Sequence, residues 1–350
     1  MLKKTGYRIL FLAVVFLLTV VAPIYAYAAD PPVPAAAVDE FGVPLGNAPP
    51  PAPPGFASQD EAQKAALSGK FAFILLTAPV PLPEGVVEKK DIEYGNVGGK
   101  RPLLLDLYMP DKLDKPAPGL IFIHGGGWQG GNRTDYKYYT VRYAKRGYVV
   151  ASISYRFAPE ASFPAAVQDA KCAVRWMREN AATYHVNPDK IAAIGGSAGG
   201  YLAMMIGYSS DVPELEGDGG HAGVSSRVQA VVDFYGPTNL DCMEGRTADV
   251  VRKFIGKTYE EAPELYKLAS PITHLTKDDP PTLIIQGTVD STVPVAQSDQ
   301  LAAKLKELGI PYVYEKFEGW PHTMDIAIDV NKRCQWFMNH FFDKYLRDVK

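Results

Sequence analysis

The sequence predicts an α/β fold, a mostly parallel central sheet covered by helices on both faces. Three observations carry that expectation. From about Gly85 onward, short apolar runs ended by turn residues alternate with segments of helical period. Alternation at this spacing is what parallel strand pairs joined by crossover helices require. The chain also has 350 residues, 47% of them apolar, enough for a large core without disulfide or metal staples.

Residues 1–28 read as an address. Lys3, Lys4 and Arg8 precede a thirteen-residue apolar run from Ile9 to Val21, and Ala26-Tyr27-Ala28 has a small-x-small cleavage pattern. This is the form of a secretory signal peptide, and it predicts a secreted or periplasmic protein with no stable membrane span after cleavage near Ala28. Residues 29–56 are Pro- and Ala-rich, with nine prolines and five alanines between Asp30 and Pro54, and are expected to form an extended tether. Residues 57–84 form an N-terminal extension. In it Ser58 and Glu61 stand at capping-box spacing, and Gly69 sits where a helix would close. Phe71 to Val80 is apolar and open between strand and buried helix.

The remaining domain, residues 85–350, carries the alternation. Leu103 to Tyr108 and Gly119 to His124 read as buried strands, and Tyr148 to Tyr155, Ile191 to Gly195, Ala230 to Phe234, Thr282 to Gly287 and Tyr312 to Phe317 as further strands. Helices are predicted at Lys137 to Arg146, after Pro164, from Ala198, over Ala296 to Leu308 and over about Asn331 to Tyr345. Net charge is −3, or −6 without Lys3, Lys4 and Arg8, and no basic stripe is present. Nucleic acid is therefore excluded as a partner. Cys172, Cys242 and Cys334 lack metal-ligand spacing and read as packing residues, with room for at most one bridge.

The chemistry is expected at two glycine-rich turns. Gly195-Gly196-Ser197-Ala198-Gly199 is a Gly-x-Ser-x-Gly sequence between a predicted strand and a predicted helix, a turn that lifts a serine hydroxyl to a helix N-terminus. His124-Gly125-Gly126-Gly127-Trp128 follows another strand, and its glycines let backbone N–H groups approach a ligand. Acyl transfer needs such donors where the oxyanion develops. The expected donors are the N–H groups of Gly126, Gly127 and Ala198, with His124 as a brace for the loop. A serine nucleophile needs a base. His185 lies at the wrong sheet edge, His221 and His274 lie in polar connections, and His340 lies inside a helix. His322 follows a late strand at the right edge and is the expected base. Asp290 follows the strand Thr282 to Gly287 and is the expected acid, with Asp233 as the fallback.

In these residues the sequence resembles the α/β-hydrolase family over about residues 85–350. The likeness is to the hormone-sensitive-lipase-like esterases and the bifunctional feruloyl and acetyl-xylan esterase branch. It rests on His124 to Trp128, Tyr155-Arg156-Phe157-Ala158-Pro159-Glu160, Gly195 to Gly200, Asp290 and His322. In such enzymes the loop after the third strand supplies oxyanion donors, here Gly126 and Gly127. Gly196 stands where many hormone-sensitive-lipase relatives carry Asp, which points to the xylan-esterase-like branch, and Thr323 stands where Gly commonly follows the histidine. Residues 55–84 are too few for a large helical cap, so the cap is expected to be short or absent.

The resemblance implies a carboxylic ester hydrolase with a Ser-His-Asp triad, needing no metal and no cofactor. Its substrate would be a small ester or an acylated polysaccharide, with acetyl or feruloyl groups on carbohydrate. Trp128, Tyr235 and Trp320 fall at predicted C-terminal strand ends and are expected to meet a sugar or aryl group. Arg156, near Asp169 and Glu160, is expected to pair with Glu160 and shape its loop. The same sheet and triad order also serve prolyl-oligopeptidase-like peptidases and formamidase-type amidases. A reading of another class is a catalytically dead binding module on this fold.

Overall fold

The computed structural model describes residues 37–347 apart from 71, 73, 75–78, 100 and 211. Eight strands among them form one sheet: β1 Val86–Val97, β2 Arg101–Pro110, β3 Ala117–Ile123, β4 Val149–Ile153, β5 Val186–Gly196, β6 Ala230–Phe234, β7 Thr282–Gly287 and β8 Tyr312–Phe317. The spatial order is β1-β2-β4-β3-β5-β6-β7-β8. The pairs β1·β2 and β2·β4 are antiparallel, and the other five are parallel. β4 and β6 are buried at every residue, which is why they appear in the sequence as unbroken apolar runs.

The helices are α1 Gln59–Leu67, α2 Lys137–Lys145, α3 Ala165–Glu179, α4 Ala181–Tyr184, α5 Ala198–Tyr208, α6 Gly245–Ile255, α7 Pro263–Leu268, α8 Val295–Leu308 and α9 Ile328–Tyr345. They divide between two cores. Ile121 and Ile123 of the sheet pack with Val167 of α3, Leu202 of α5 and Leu305 of α8. Leu120 and Phe122 face the other way, against Tyr143 of α2 and Phe342 of α9. From β3 the chain passes through α2 to β4 on one side, then returns through α3 to β5 on the other. The loops leaving β3 and β5 therefore diverge at neighbouring strand ends, which opens the crevice where such sheets place ligands.

Three expectations change. β1 was not expected as a strand, because it is an edge strand with two register shifts and an exposed Lys89-Lys90-Asp91 stretch, so its pattern does not alternate. α6 and α7 lie in the long connection between β6 and β7, and α6 buries only Val251, Phe254 and Ile255. The tether is corrected where it is described: residues 37–56 lie along the domain instead of reaching away from it. Trp336 Nε1 donates to the Gly46 carbonyl at 2.9 Å, Trp320 Nε1 donates to that of Pro53 at 3.1 Å, and Val43 is fully buried. The proline-rich backbone lacks N–H groups but not carbonyls, and side chains of α9 and of the loop after β8 find those acceptors. Residues 1–36, with the expected leader, lie outside the described residues, as does most of Phe71 to Val80. The helix predicted after Ser58 is α1, whose N-cap Ser58 accepts from the Glu61 N–H at 3.2 Å.

Candidate active site

β5 runs into α5 through Ser197, the N-cap of the helix, at φ 56° and ψ −122°. A non-glycine residue rarely adopts that backbone, and the surrounding packing enforces it. A Cβ on Gly199 would lie 2.0 Å from the carbonyl oxygen of Ile123, so only glycine lets the helix start this close to β3. The loop after β3 is pressed against the same turn. A Cβ on Gly125 would lie 2.9 Å from the Gly196 oxygen and 3.4 Å from Ser197 Cβ. Gly126 and Gly127 have φ of 109° and 59°, a left-handed path that turns the loop beside the serine. Ala198 is the first residue of α5, where an N–H has no intrahelical acceptor. Among the described residues no hydrogen bond engages the N–H groups of Gly126, Gly127 or Ala198.

The structure brings Ser197, His322 and Asp290 into one line. His322 Nε2 lies 3.0 Å from Ser197 Oγ, and His322 Nδ1 lies 2.6 Å from Asp290 Oδ2. Asp290 Oδ1 accepts the N–H groups of Thr292 at 2.8 Å and Val293 at 2.9 Å, so the carboxylate is aimed by its own loop. Asp290 is buried, while the imidazole is partly open to the cleft. That cleft has a volume of about 990 Å³ and is bordered by Ser197, both glycine turns and the α6 face of Arg246, Val250 and Lys253. Gln59 of α1 also borders it, and its Oε1 accepts from the N–H and hydroxyl of Ser291. Two helices, α1 and α6, thus stand at the cleft, and only α1 is expected from the sequence.

The fallback acid does not reach the histidine. Asp233 is buried on β6 and accepts from the Gly236 N–H at 2.8 Å; burial pushes its pKa up to about 8. His124 holds its own loop: its Nδ1 lies 2.8 Å from the Gly125 oxygen and its ring stacks on Tyr155 at 4.4 Å. Burial lowers its pKa, as suits a neutral brace. Of the other histidines, His221 meets Glu179, and His274 and His340 meet backbone carbonyls.

The three aromatic residues expected at the rim are all nearly buried. Trp128 borders the cleft but is 2% exposed, stacked on Phe254 at 4.2 Å and edge-on to Tyr201 at 5.0 Å. Trp320 is buried against Phe56 and the segment before it. Tyr235 does face the cleft, but its ring lies 4.7 Å from the His322 imidazole and its phenol donates to Asp325. At a strand end an aromatic ring gains more by covering the core edge than by standing in solvent. Arg156 pairs with Asp169 at 2.7 Å and not with Glu160, which is exposed and faces Arg101 at 3.7 Å. Asp169 is buried, so it is the acid that most needs a cation.

Two residues at the site carried no sequence signal. Gln286, at the end of β7, donates from Nε2 to Asp290 Oδ2 at 3.2 Å and accepts at Oε1 from Ser298 at 3.0 Å. Asp325 follows His322 by three residues and is buried among tyrosines. Cys172, Cys242 and Cys334 are all unbridged. Among the described residues no group of His, Cys, Asp and Glu is placed to hold a metal ion, and no helix is long and apolar enough to cross a membrane.

Residues 105–305 match the model of the BD-FAE family. Esterase LipQ of Mycobacterium tuberculosis (strain ATCC 25618 / H37Rv) is 34% identical over 251 residues, covering 69% of this chain and 59% of LipQ. The chain thus spans less than two thirds of the length of that curated relative. Among solved structures, a truncated carbohydrate esterase from gut microbiota superposes with a TM-score of 0.64 at 29% identity, over 74% of this chain and 95% of that one. A thermophilic esterase, Est2, from the Planctomycetes species Thermogutta terrifontis does so with a TM-score of 0.63 at 28% identity, over 75% and 92%.

Proposed function

Since the chain belongs to the BD-FAE family of α/β-hydrolase esterases, we propose that it is a serine carboxylic-ester hydrolase with Ser197 as nucleophile, His322 as base and Asp290 as the orienting acid. The observation that carries this reading is the continuous line of contacts from Asp290 through His322 to Ser197, at 2.6 and 3.0 Å. Ser197 Oγ attacks the ester carbonyl while His322 Nε2 takes its proton. The N–H groups of Gly126, Gly127 and Ala198 receive the developing oxyanion. The imidazolium then protonates the leaving alkoxide, and a water deprotonated by His322 hydrolyses the acyl-enzyme.

The substrates in this reading are short acyl esters of carbohydrates, acetyl esters first and feruloyl esters second. Three things support it. One structural relative is a carbohydrate esterase, and the Thermogutta terrifontis esterase is known with propionate and with butyrate bound. The cleft, at about 990 Å³, has room for a sugar-sized alcohol, and Arg246, Asp249 and Lys253 stand on its border. The leader expected over residues 1–28 would deliver the enzyme to where acylated polymers are met.

A long acyl chain gains about 0.8 kcal/mol per buried CH₂, and a cleft covered by no large helical cap limits how many of them are buried. On 4-nitrophenyl acetate, butyrate and octanoate, kcat/KM should therefore level off after a few carbons, with release of acetate from acetylated xylan alongside. Rates that climb steadily to octanoate would replace this reading with a lipase. Ser197→Ala should lose turnover and fluorophosphonate labelling together; retained esterase activity would overturn the nucleophile.

A further inference from the structure

Three residues beyond His322 the chain turns inward and buries a carboxyl that the proposed chemistry does not use. Asp325 is 3% exposed and lies in the short 3₁₀ turn Met324–Ile326, bordering the same cleft as Ser197. Among the described residues no Lys or Arg pairs with it, and its partners are phenols. Tyr235 donates to Oδ1, Tyr139 donates to Oδ2 at 3.2 Å, and Tyr136 is hydrogen bonded to Tyr235. Asn331 of α9 donates to the Asp325 backbone carbonyl at 2.9 Å, fixing the turn itself.

This arrangement is more than filler. A buried carboxyl without a cation is costly to keep, and an apolar side chain of similar volume would fill the space without that cost. The titratable groups facing it are Tyr136 and Tyr139 from α2 and its lead-in, Tyr235 after β6, Cys334 from α9 and His322 from its own loop. Of these only His322 can become a cation. Burial raises the pKa of Asp325, and the bonds from Tyr235 and Tyr139, with the field of His322, pull against that rise. Tyr235 links the two groups directly, with its phenol on Asp325 and its ring against the imidazole.

We propose that Asp325 is a positioning residue for His322: a second buried carboxylate whose charge favours the imidazolium formed as Ser197 loses its proton, and whose phenol partner holds a ring against the imidazole. Asp325 itself takes no proton in the cycle; the proton moves from Ser197 Oγ to His322 Nε2 and on to the leaving oxygen. The proposal rests on His322 being the base.

The test is the pH profile of kcat/KM on 4-nitrophenyl acetate for the wild type, Asp325→Asn and Tyr235→Phe. A nearby negative charge raises the pKa of an imidazole, so removing it lowers that pKa, and the acid limb reports it. In Asp325→Asn the midpoint of that limb should move to lower pH by about half a unit to one unit, with KM within about twofold. Tyr235→Phe keeps the ring but takes a donor from the carboxylate, which becomes harder to ionise. Its limb should move the same way by less. An unmoved limb in Asp325→Asn overturns the proposal, and so does a fall in kcat without displacement, the signature of a merely structural role. Should Asp325→Asn fail to fold, Tyr235→Phe decides by the same criterion. His322→Ala separates this result from the reading beneath it: retained turnover there would remove the base, whatever Asp325 does.

Discussion

Replacing Asp290 by Asn tests the orientation of the base, and the hydrogen bonds around the carboxylate determine how the amide must sit. Oδ1 receives two backbone N–H groups, from Thr292 and Val293. An NH₂ at that position would leave both donors unsatisfied, at about 1–3 kcal/mol for each buried group. The amide oxygen must therefore occupy the Oδ1 site, which turns the NH₂ toward His322 Nδ1. That nitrogen then has to accept, its proton moves to Nε2, and Nε2 can no longer take the proton of Ser197, 3.0 Å away. The expected loss is ~10⁴ in kcat, or about 5.5 kcal/mol of barrier at 1.36 kcal/mol per tenfold. Asp233→Asn is the matched control, since burial already holds that carboxyl's pKa up at about 8, and it should cost less than about tenfold in kcat. Single-turnover and steady-state rates on 4-nitrophenyl acetate, with circular dichroism for folding, give the comparison. An Asp290→Asn enzyme with more than about 1% of wild-type kcat, or the reverse ranking of the two variants, would refute this assignment of the acid.

Gly196→Ala places a Cβ 2.3 Å from the Tyr136 phenol oxygen, an overpacking worth about 1–3 kcal/mol. Urea unfolding of the double variant with Tyr136→Phe should recover part of it, and strict additivity would refute the clash. Trp128→Ala should cost about 3–5 kcal/mol in the same assay, because the ring is almost fully buried against Phe254 and Tyr201; a loss below about 1 kcal/mol would refute that packing role. Gln286→Met keeps the volume but withdraws the amide from Asp290 Oδ2, and should lower kcat by about tenfold with KM unchanged. An unaltered kcat would make Gln286 a tie between β7 and α8 alone.

What the sequence discloses here follows from burial. Strands such as Ala230–Phe234 and Thr282–Gly287 are covered on both faces, so their bounds coincide with the apolar runs. The elbow around Ser197 was legible because the turn admits almost no residue but glycine on either side of the serine. β1 was not, since an edge strand with one solvated side has no apolar run to find. α6 opens with Gly245 and Arg246 and turns a charged face to the cleft, which reads as loop. Arg156 illustrates a different limit. Glu160 and Asp169 are both within reach along the chain, and only burial, seen in three dimensions, selects Asp169. Gln286 and Asp325 stand 4 and 3 positions from Asp290 and His322, with no spacing rule to announce them.

The segment 37–56 also has a consequence for how the protein keeps its activity. Its contacts join positions 267 and 290 residues apart, from Pro53 to Trp320 and from Gly46 to Trp336. Phe56 N–H donates to the Gly319 carbonyl at 2.8 Å, three residues before His322. Contacts of such sequence separation hold the two ends of the domain together at a cost in chain entropy. The belt ties the start of the domain to the loop that carries His322, so a protease that nicks the chain between residues 46 and 56 should leave a folded protein with reduced activity. Activity lost ahead of circular dichroism signal during limited proteolysis would be its signature.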